Sequence, residues 1–290
     1  MSSMSTSESI LLPHALNDHT TPPSALHVVD LTNLLGSLNL RAFASNYQKC
    51  AERCEVDGST YSAYLEELTL MEVERRSNER LQKLVVGAKL PRHKLLKDFN
   101  VNRIKGLSSA LIGRLATGVF MEEASNIIIF GTPGTGKTHL SIALAREWCL
   151  HGRRVLFLTA AKLLEELKES YKLNKLHAYL QRLDKFECLL IDDISYVPMQ
   201  REDADLLFQL ISERYEKRSM LITSNVPFAK WSEIFKDEMT TAAAVDRLVH
   251  HAEILELNAK SYRAQKASKK AKNEEQTERE ICDVSEAKME

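Results

Sequence analysis

Apolar residues recur at helical spacing in the first third of the chain. Leu31, Leu34 and Leu38 are three or four residues apart, and similar spacing continues through residues 43–54, 60–84 and 107–119. Because residues at this spacing share one face of a helix, we predict an all-helical N-terminal domain over residues 27–120. Residues 1–26 are rich in Ser and Thr and lack this periodicity, which predicts a disordered tail.

From Asn126 the pattern changes to short apolar runs that alternate with amphipathic helical segments. The runs are typical of buried strands and lie at residues 127–130, 155–158, 188–191, 220–223 and 254–257. This alternation predicts an α/β fold, a mostly parallel sheet flanked by helices. Ligands of such sheets bind beyond the carboxyl ends of the strands, so the residues that follow each run are candidates for a site.

A glycine-rich loop follows the first run. Residues 131–138 read GTPGTGKT and match the pattern G-x-x-x-x-G-K-[ST], between a predicted strand and a predicted helix. The backbone N–H groups of such a loop point at phosphate oxygens, the lysine contacts the β- and γ-phosphates, and the last hydroxyl binds Mg²⁺. A chance glycine loop is the alternative. The predicted nucleotide-binding residues are Gly131, Thr132, Pro133, Gly134, Thr135, Gly136, Lys137 and Thr138.

Two carboxylates and an amide follow two other runs. Asp192 and Asp193 end the run at 188–191, and Asn225 lies just beyond the run at 220–223. We predict that Asp192 binds Mg²⁺ and that Asp193 polarises the water that attacks the γ-phosphate. Asn225 would hydrogen-bond to that water or to the γ-phosphate. Ordinary surface turns are the alternative, the more so for Asn225 because Pro227 follows it.

The phosphate motifs have no arginine close to them in the sequence. Arg247 lies well downstream. Because a neighbouring subunit can supply the arginine that stabilises the transition state, we predict that Arg247 is such an arginine finger. A salt bridge to Asp246 or Glu253 is the alternative.

The net charge of −1 conceals a strongly basic stretch. Eleven basic residues and two acidic ones lie between Arg75 and Gly118. Basic residues so depleted in acidic neighbours are typical of surfaces that bind phosphate backbones, so we predict nucleic-acid binding; a solvated helix face is the alternative. The candidate DNA-binding residues are Arg75, Arg76, Arg80, Lys83, Lys89, Arg92, Lys94, Lys97, Arg103 and Lys105.

The remaining composition indicates a cytoplasmic protein. The apolar runs are too short to span a membrane, and no secretory signal is recognisable at the N-terminus. The five cysteines lack zinc-ribbon spacing and are interpreted as reduced core residues. His250 and His251 form an adjacent pair without a third ligand, and His139 follows the glycine-rich loop on its helix. We interpret all three as structural or surface residues rather than metal ligands.

Residues from about 30 to 263 resemble the IstB-type helper ATPases of bacterial insertion sequences, relatives of the DnaC helicase loaders within the AAA+ class. The segments 205–212 and 224–228 are specific to this group rather than to P-loop proteins at large. The matching stretches are Gly131–Leu140, Leu189–Pro198, Ala204–Arg214, Leu221–Phe228, Asp246–His251 and Ser261–Arg263.

The resemblance implies an ATP- and Mg²⁺-dependent homo-oligomer that binds and remodels double-stranded DNA and recruits a cognate transposase. It implies an AAA+ ATPase domain over residues 121–263, an arginine finger at Arg247 and a sensor-2-like arginine at Arg263. The N-terminal helices would serve assembly and transposase contact.

The chain departs from the AAA+ pattern in two places. Asp193 replaces the usual Glu, and its shorter side chain implies slow turnover. Residues 264–290 form only a charged tail, so we expect little or no C-terminal helical lid.

Two other functions stay open. A helicase loader of the DnaC type shares these ATPase motifs and would prefer single strands and a helicase partner. A small-molecule P-loop kinase would need a substrate pocket and an arginine-bearing lid, and the sequence indicates neither.

Overall fold

The computed structural model describes residues 30–91, 93–104, 106–196, 199–235, 238–259 and 261–262. These residues form two compact units, which divide between Arg76 and Ser77. The predicted tails, and with them any C-terminal lid, lie outside the described residues. Among the helices that are described, none combines the length and the apolar character needed to cross a bilayer.

The first unit is helical, as predicted. Its helices are α1 (Leu31–Ser37), α2 (Arg41–Asp57) and α3 (Tyr61–Gly87), the last of which continues into the second unit. The carboxylate of Asp30 accepts a hydrogen bond from the backbone N–H of Thr32 and caps α1. Gly58 ends α2 because its φ of 62° lies in the left-handed region, which glycine adopts without a steric penalty.

The carboxylate of Glu72 joins the helices of this unit. Glu72 is 4% exposed, and its Oε2 atom accepts the backbone N–H of Ala42, in α2, at 2.8 Å. Its Oε1 atom accepts hydrogen bonds from the guanidinium groups of Arg75 at 2.6 Å and Arg76 at 2.7 Å. These bonds, that of Arg75 foremost, lower the pKa of Glu72 to about 2. Two of the predicted DNA-binding arginines are therefore ion-paired within the protein.

Replacing Glu72 by Gln should destabilise the first unit by about 2 kcal/mol, because a buried charge-assisted network loses its acceptor. Hydrogen exchange at the amides of α2 and α3 would measure the loss. Because the pKa of Glu72 in the folded chain lies below the ordinary value of 4.5, the stabilisation should be complete above that pH and should decline as the pH falls towards 2. The exposed neighbour Glu74, changed to Gln, is the matched control, and an equal effect of both changes would contradict the prediction.

The second unit contains a parallel five-stranded sheet, which confirms the predicted fold class. Its strands are β1 (Asn126–Phe130), β2 (Val155–Thr159), β3 (Cys188–Asp192), β4 (Ser219–Ser224) and β5 (Ala252–Glu256), in the order β2-β3-β4-β1-β5. Every neighbouring pair is parallel. The first strand in sequence is therefore next to the last two, and the loops after β1, β3 and β4 lie side by side.

Helices cover both faces of this sheet. They are α4 (Ser109–Ala116), α5 (Lys137–Leu150), α6 (Ala160–Lys172), α7 (Leu176–Asp184), α8 (Arg201–Arg214), α9 (Trp231–Phe235) and α10 (Glu238–Val249). Short 3₁₀ turns occupy Leu96–Asp98, Val101–Arg103, Val119–Met121, Ile194–Tyr196 and Phe228–Lys230. Because side chains alternate along a strand, Ile128 packs into the core with α6 to α10, whereas Ile127 and Ile129 pack into the core with α4 and α5.

Residues 77–120 pack with the sheet. The carbonyl oxygen of Ala88 accepts the backbone N–H of Phe157, on edge strand β2, at 2.9 Å. The indole N–H of Trp148 donates to the carbonyl oxygen of Leu115 at 2.7 Å. This segment thus belongs to the second unit, although its helical pattern grouped it with the N-terminal helices. The functional division at residue 120 stays a prediction.

Candidate nucleotide-binding site

Three strand ends meet at the carboxyl edge of the sheet. The glycine-rich loop follows β1, the Asp192–Asp193 pair ends β3, and Asn225 follows β4. Since β4 lies between β1 and β3, its end reaches both neighbours. The structure therefore brings together the loop, both aspartates and Asn225.

Two positions of the loop require glycine, both because neighbouring atoms leave no room for a Cβ atom and because φ is positive. Gly131 has a φ of 149°, and a Cβ atom there would overlap with the carbonyl oxygen of Leu257. Gly134 has a φ of 82°, and its Cβ would overlap with the hydroxyl of Ser261. The chain after β5 is held against the loop, because the backbone N–H of Tyr262 donates to the carbonyl oxygen of Gly134 at 2.9 Å. A side chain at either glycine would therefore push the loop away from the chain that follows β5.

Lys137 is the first residue of α5, and its ammonium group lies inside the loop. The side chain is buried, and Nζ donates to the carbonyl oxygens of Gly131 at 2.7 Å and Thr132 at 3.1 Å. It also donates to Oδ1 of Asn225 at 2.6 Å. The N-terminus of α5 favours an anionic ligand next to this ammonium group.

Hydrogen bonds also connect the end of β4 to the two aspartates. The Nδ2 atom of Asn225 donates to Oδ1 of Asp193. The buried hydroxyl of Thr223, on β4, accepts the backbone N–H of Asp193 at 2.8 Å and donates to Oδ1 of Asp192 at 2.7 Å. Asp193 has a left-handed φ of 67°, a conformation that Asp tolerates better than most residues. Thr223 thus fixes the backbone of one aspartate and the carboxylate of the other.

Asp193, Thr223 and Asn225 line a cavity of about 520 Å³, whereas the buried Asp192 is not among its lining residues. Loop residues, Lys137, Thr138, Asp193, Thr223 and Asn225 form part of its wall. The rest of the wall was not predicted from the sequence and consists of Asp98, Phe99, Asn100, Ile104, His139 and Tyr262, together with Lys94 and Arg103. Of these, only His139 and Tyr262 lie in stretches that carry the family resemblance. Lys94 and Arg103, two predicted DNA-binding residues, thus lie beside the glycine-rich loop.

The missed wall has the character of a nucleobase pocket. The Phe99 ring lies next to Gly136, where a Cβ would come within 3.1 Å of it, and packs on the His139 ring at a centroid distance of 5.7 Å. The Arg103 guanidinium lies 5.0 Å from the centroid of the Tyr262 ring. Flat aromatic surfaces beside a phosphate-binding loop fit a nucleotide, whose base stacks while its phosphates are held by backbone N–H groups. The hydroxyl of Thr138 and the carboxylate of Asp192 are oxygen donors of the kind that Mg²⁺ prefers.

The remaining candidates lie elsewhere. The Arg247 guanidinium is 4.7 Å from the centroid of the Phe208 ring and donates to the carbonyl oxygen of Ala243 at 3.1 Å, and it does not line the described cavity. Arg80, Lys83, Lys89 and Lys97 are exposed. Arg92, Lys105 and Arg263 lie outside the described residues.

A parallel sheet with this glycine-rich loop and these strand-end aspartates defines a P-loop nucleotide-binding protein with the AAA+ fold. The family model described as IstB-like ATP binding protein matches residues 33–271. The chain belongs to this family, and ATP is therefore its nucleotide.

Individual relatives agree with this assignment. The chain is 36% identical over 235 residues to an insertion-sequence ATP-binding protein of Sinorhizobium fredii, covering 81% of this chain and 79% of that one. It is 34% identical over 240 residues to the protein named as the ATP-binding protein of insertion sequence IS21 in Pseudomonas aeruginosa, covering 83% and 91%. Among solved structures, a DNA replication initiation factor shares the fold, with a TM-score of 0.51 and 21% identity over 63% of this chain and 56% of that one.

Replacing Thr223 by Val should weaken Mg²⁺-dependent ATP binding about tenfold while sparing binding in EDTA, because the Asp192 carboxylate loses the hydroxyl that orients it. Titration of a fluorescent ATP analogue, with and without Mg²⁺, would measure both affinities. Thr223→Ser keeps the hydroxyl and serves as the control. Equal weakening with and without Mg²⁺ would show that Thr223 only maintains the fold.

Proposed function

We propose that this protein hydrolyses ATP at the strand-end site and uses the reaction to control its assembly on double-stranded DNA during transposition. The hydrogen-bonded series Lys137–Asn225–Asp193 carries the hydrolytic part of the proposal. It places an ammonium group, an amide and a carboxylate side by side at the edge of a cavity of nucleotide size.

Each residue has a distinct task. Lys137 and the loop N–H groups bind the phosphates. Thr138 and Asp192 would hold Mg²⁺, which would supply positive charge to the phosphate oxygens. Asp193 accepts a proton from the attacking water, and the Asn225 amide orients the Asp193 carboxylate through its hydrogen bond. The short Asp193 side chain depends on this orientation, because it reaches less far than a Glu would.

Asp193→Asn should leave ATP affinity within about threefold of the parent and lower the hydrolysis rate at least a hundredfold, because the amide cannot accept the proton. Asn also tolerates the left-handed backbone at this position. Phosphate release and equilibrium ATP binding would be measured side by side. Asp205→Asn, an exposed change on α8, is the control. Parent-like hydrolysis by Asp193→Asn would exclude Asp193 as the base.

Arg247 is proposed to act on the nucleotide of a neighbouring subunit, since in its own subunit it packs on Phe208 away from the described cavity lining. Arg247→Ala should lower hydrolysis about a thousandfold at unchanged ATP affinity. Mixing it with Lys137→Ala should restore part of the activity, because a mixed interface pairs an intact loop with an intact arginine. Each variant alone is the control, and no restoration at any mixing ratio would contradict action between subunits.

The DNA and transposase parts of the proposal rest on other grounds. The relatives are named as insertion-sequence ATP-binding proteins. The transposase partner is what the resemblance to the IstB-type helper ATPases implies. Exposed basic residues at positions 80, 83, 89 and 97 provide a surface for phosphates. Arg75 and Arg76 contribute less, because Glu72 binds both guanidinium groups.

Changing Arg80 and Lys83 together to Ala should weaken duplex binding and reduce the slope of log affinity against log salt by about two, as two phosphate contacts are lost. Fluorescence anisotropy over a salt series would measure the slope. Lys185→Ala with Lys217→Ala, exposed lysines elsewhere, is the control. Tighter binding of single strands than of duplex would instead favour a helicase loader.

A further inference from the structure

A cluster of side chains of the kind that bind metals lies at the amino ends of the strands, opposite the nucleotide site. His250 and His251 lie between α10 and β5, and Glu216 lies in the turn between α8 and β4. One ligand atom from each of the three residues lies within 4.8 Å of the other two. The structure therefore places a third side chain of metal-binding type next to the histidine pair, which the sequence pattern did not show.

We propose that Glu216, His250 and His251 form a binding site for a divalent transition metal, with Zn²⁺ as the ion of choice. Two imidazoles and one carboxylate are a ligand set that zinc accepts, and three protein ligands leave a fourth position for water or a group from a partner. Tetrahedral coordination requires the ligand atoms to be about 3.3 Å apart, so small side-chain rotations suffice to close the site. All three side chains are exposed, which leaves room for that adjustment.

The backbone that carries these ligands is fixed by the buried side chain of Asn126, at the start of β1. Its Nδ2 atom donates to the carbonyl oxygen of Leu248 at 3.0 Å, and its Oδ1 atom accepts the backbone N–H of Met220 at 2.9 Å. The backbone N–H of Asn126 donates to the carbonyl oxygen of His251 at 2.7 Å. Asn126 thus fixes the position of the histidine turn relative to the start of β4.

The Glu216 side of the site is fixed by Arg214. Its buried guanidinium donates to the carbonyl oxygens of Leu183 at 3.0 Å and Ser219 at 2.9 Å, which ties the end of α8 to the start of β4. Glu216 lies within this tied turn, with a left-handed φ of 56°. Since the fold has already ordered both turns, binding a metal costs little further backbone entropy.

Tyr215 supplies an outer contact. Its hydroxyl is 3.2 Å from Nδ1 of His250. In the tautomer with the proton on Nδ1, that nitrogen donates to the Tyr215 oxygen and Nε2 keeps its lone pair for the metal. Such outer hydrogen bonds set the tautomer and orientation of histidine ligands.

Metal binding would be measured on the untagged full-length chain without nucleotide, by competition for Zn²⁺ with a chromophoric chelator. We expect one Zn²⁺ per chain. His251→Ala and Glu216→Gln should each weaken binding about tenfold or more, and Tyr215→Phe about tenfold. His151→Ala, which removes an exposed histidine beside the distant strand β2, should have no effect.

A second readout keeps the result independent of folding. Co²⁺ bound at this site should give visible absorption bands typical of four- or five-coordinate cobalt, and these should disappear in His251→Ala at an unchanged melting temperature. Binding below one Zn²⁺ per chain, or binding that survives His251→Ala and is lost in Cys54→Ser, would overturn the proposal. Neither outcome bears on ATP hydrolysis, because the cluster lies at the opposite edge of the sheet.

Discussion

The position of β4 between β1 and β3 is the constraint on which the site depends. The end of this strand carries Thr223 and Asn225, and through them it touches the lysine of one neighbour and both aspartates of the other. No covalent link joins these residues, so only the parallel register keeps them within hydrogen-bond distance. A slip of one residue in β4 would turn both side chains to the other face of the sheet.

Motif spacing was sufficient to predict those features that depend only on residues close together in the sequence. The glycine-rich loop, the strand-end aspartates and the α/β alternation are each visible in a short window of sequence. The wall formed by Phe99, Arg103 and Tyr262 is not, because Tyr262 lies more than 150 positions after the other two and only the fold brings them together. Glu72 was missed for a related reason: the charge count began at Arg75 and left out the carboxylate that binds Arg75 and Arg76.

The carboxyl ends and the amino ends of the parallel strands are stabilised by different kinds of contact. At the carboxyl edge, polar side chains contact one another around a cavity, which suits a site whose groups exchange partners during a reaction. At the amino edge, Asn126 and Arg214 bind backbone atoms, which fixes the chain and leaves the outward side chains available. The paired histidines lie on this second, fixed edge. Their third ligand is 34 residues earlier in the chain, so only the folded structure reveals it.

The most direct test of the account is the particle mass of the Asp193→Asn protein in solution, with ATP and a duplex of some tens of base pairs, supplied together and separately. We expect large, discrete assemblies that require both ATP and duplex, because the variant is proposed to retain bound ATP and each subunit is proposed to complete its neighbour's site. A protein that stays monomeric with both present, or that assembles equally well without ATP, would contradict it.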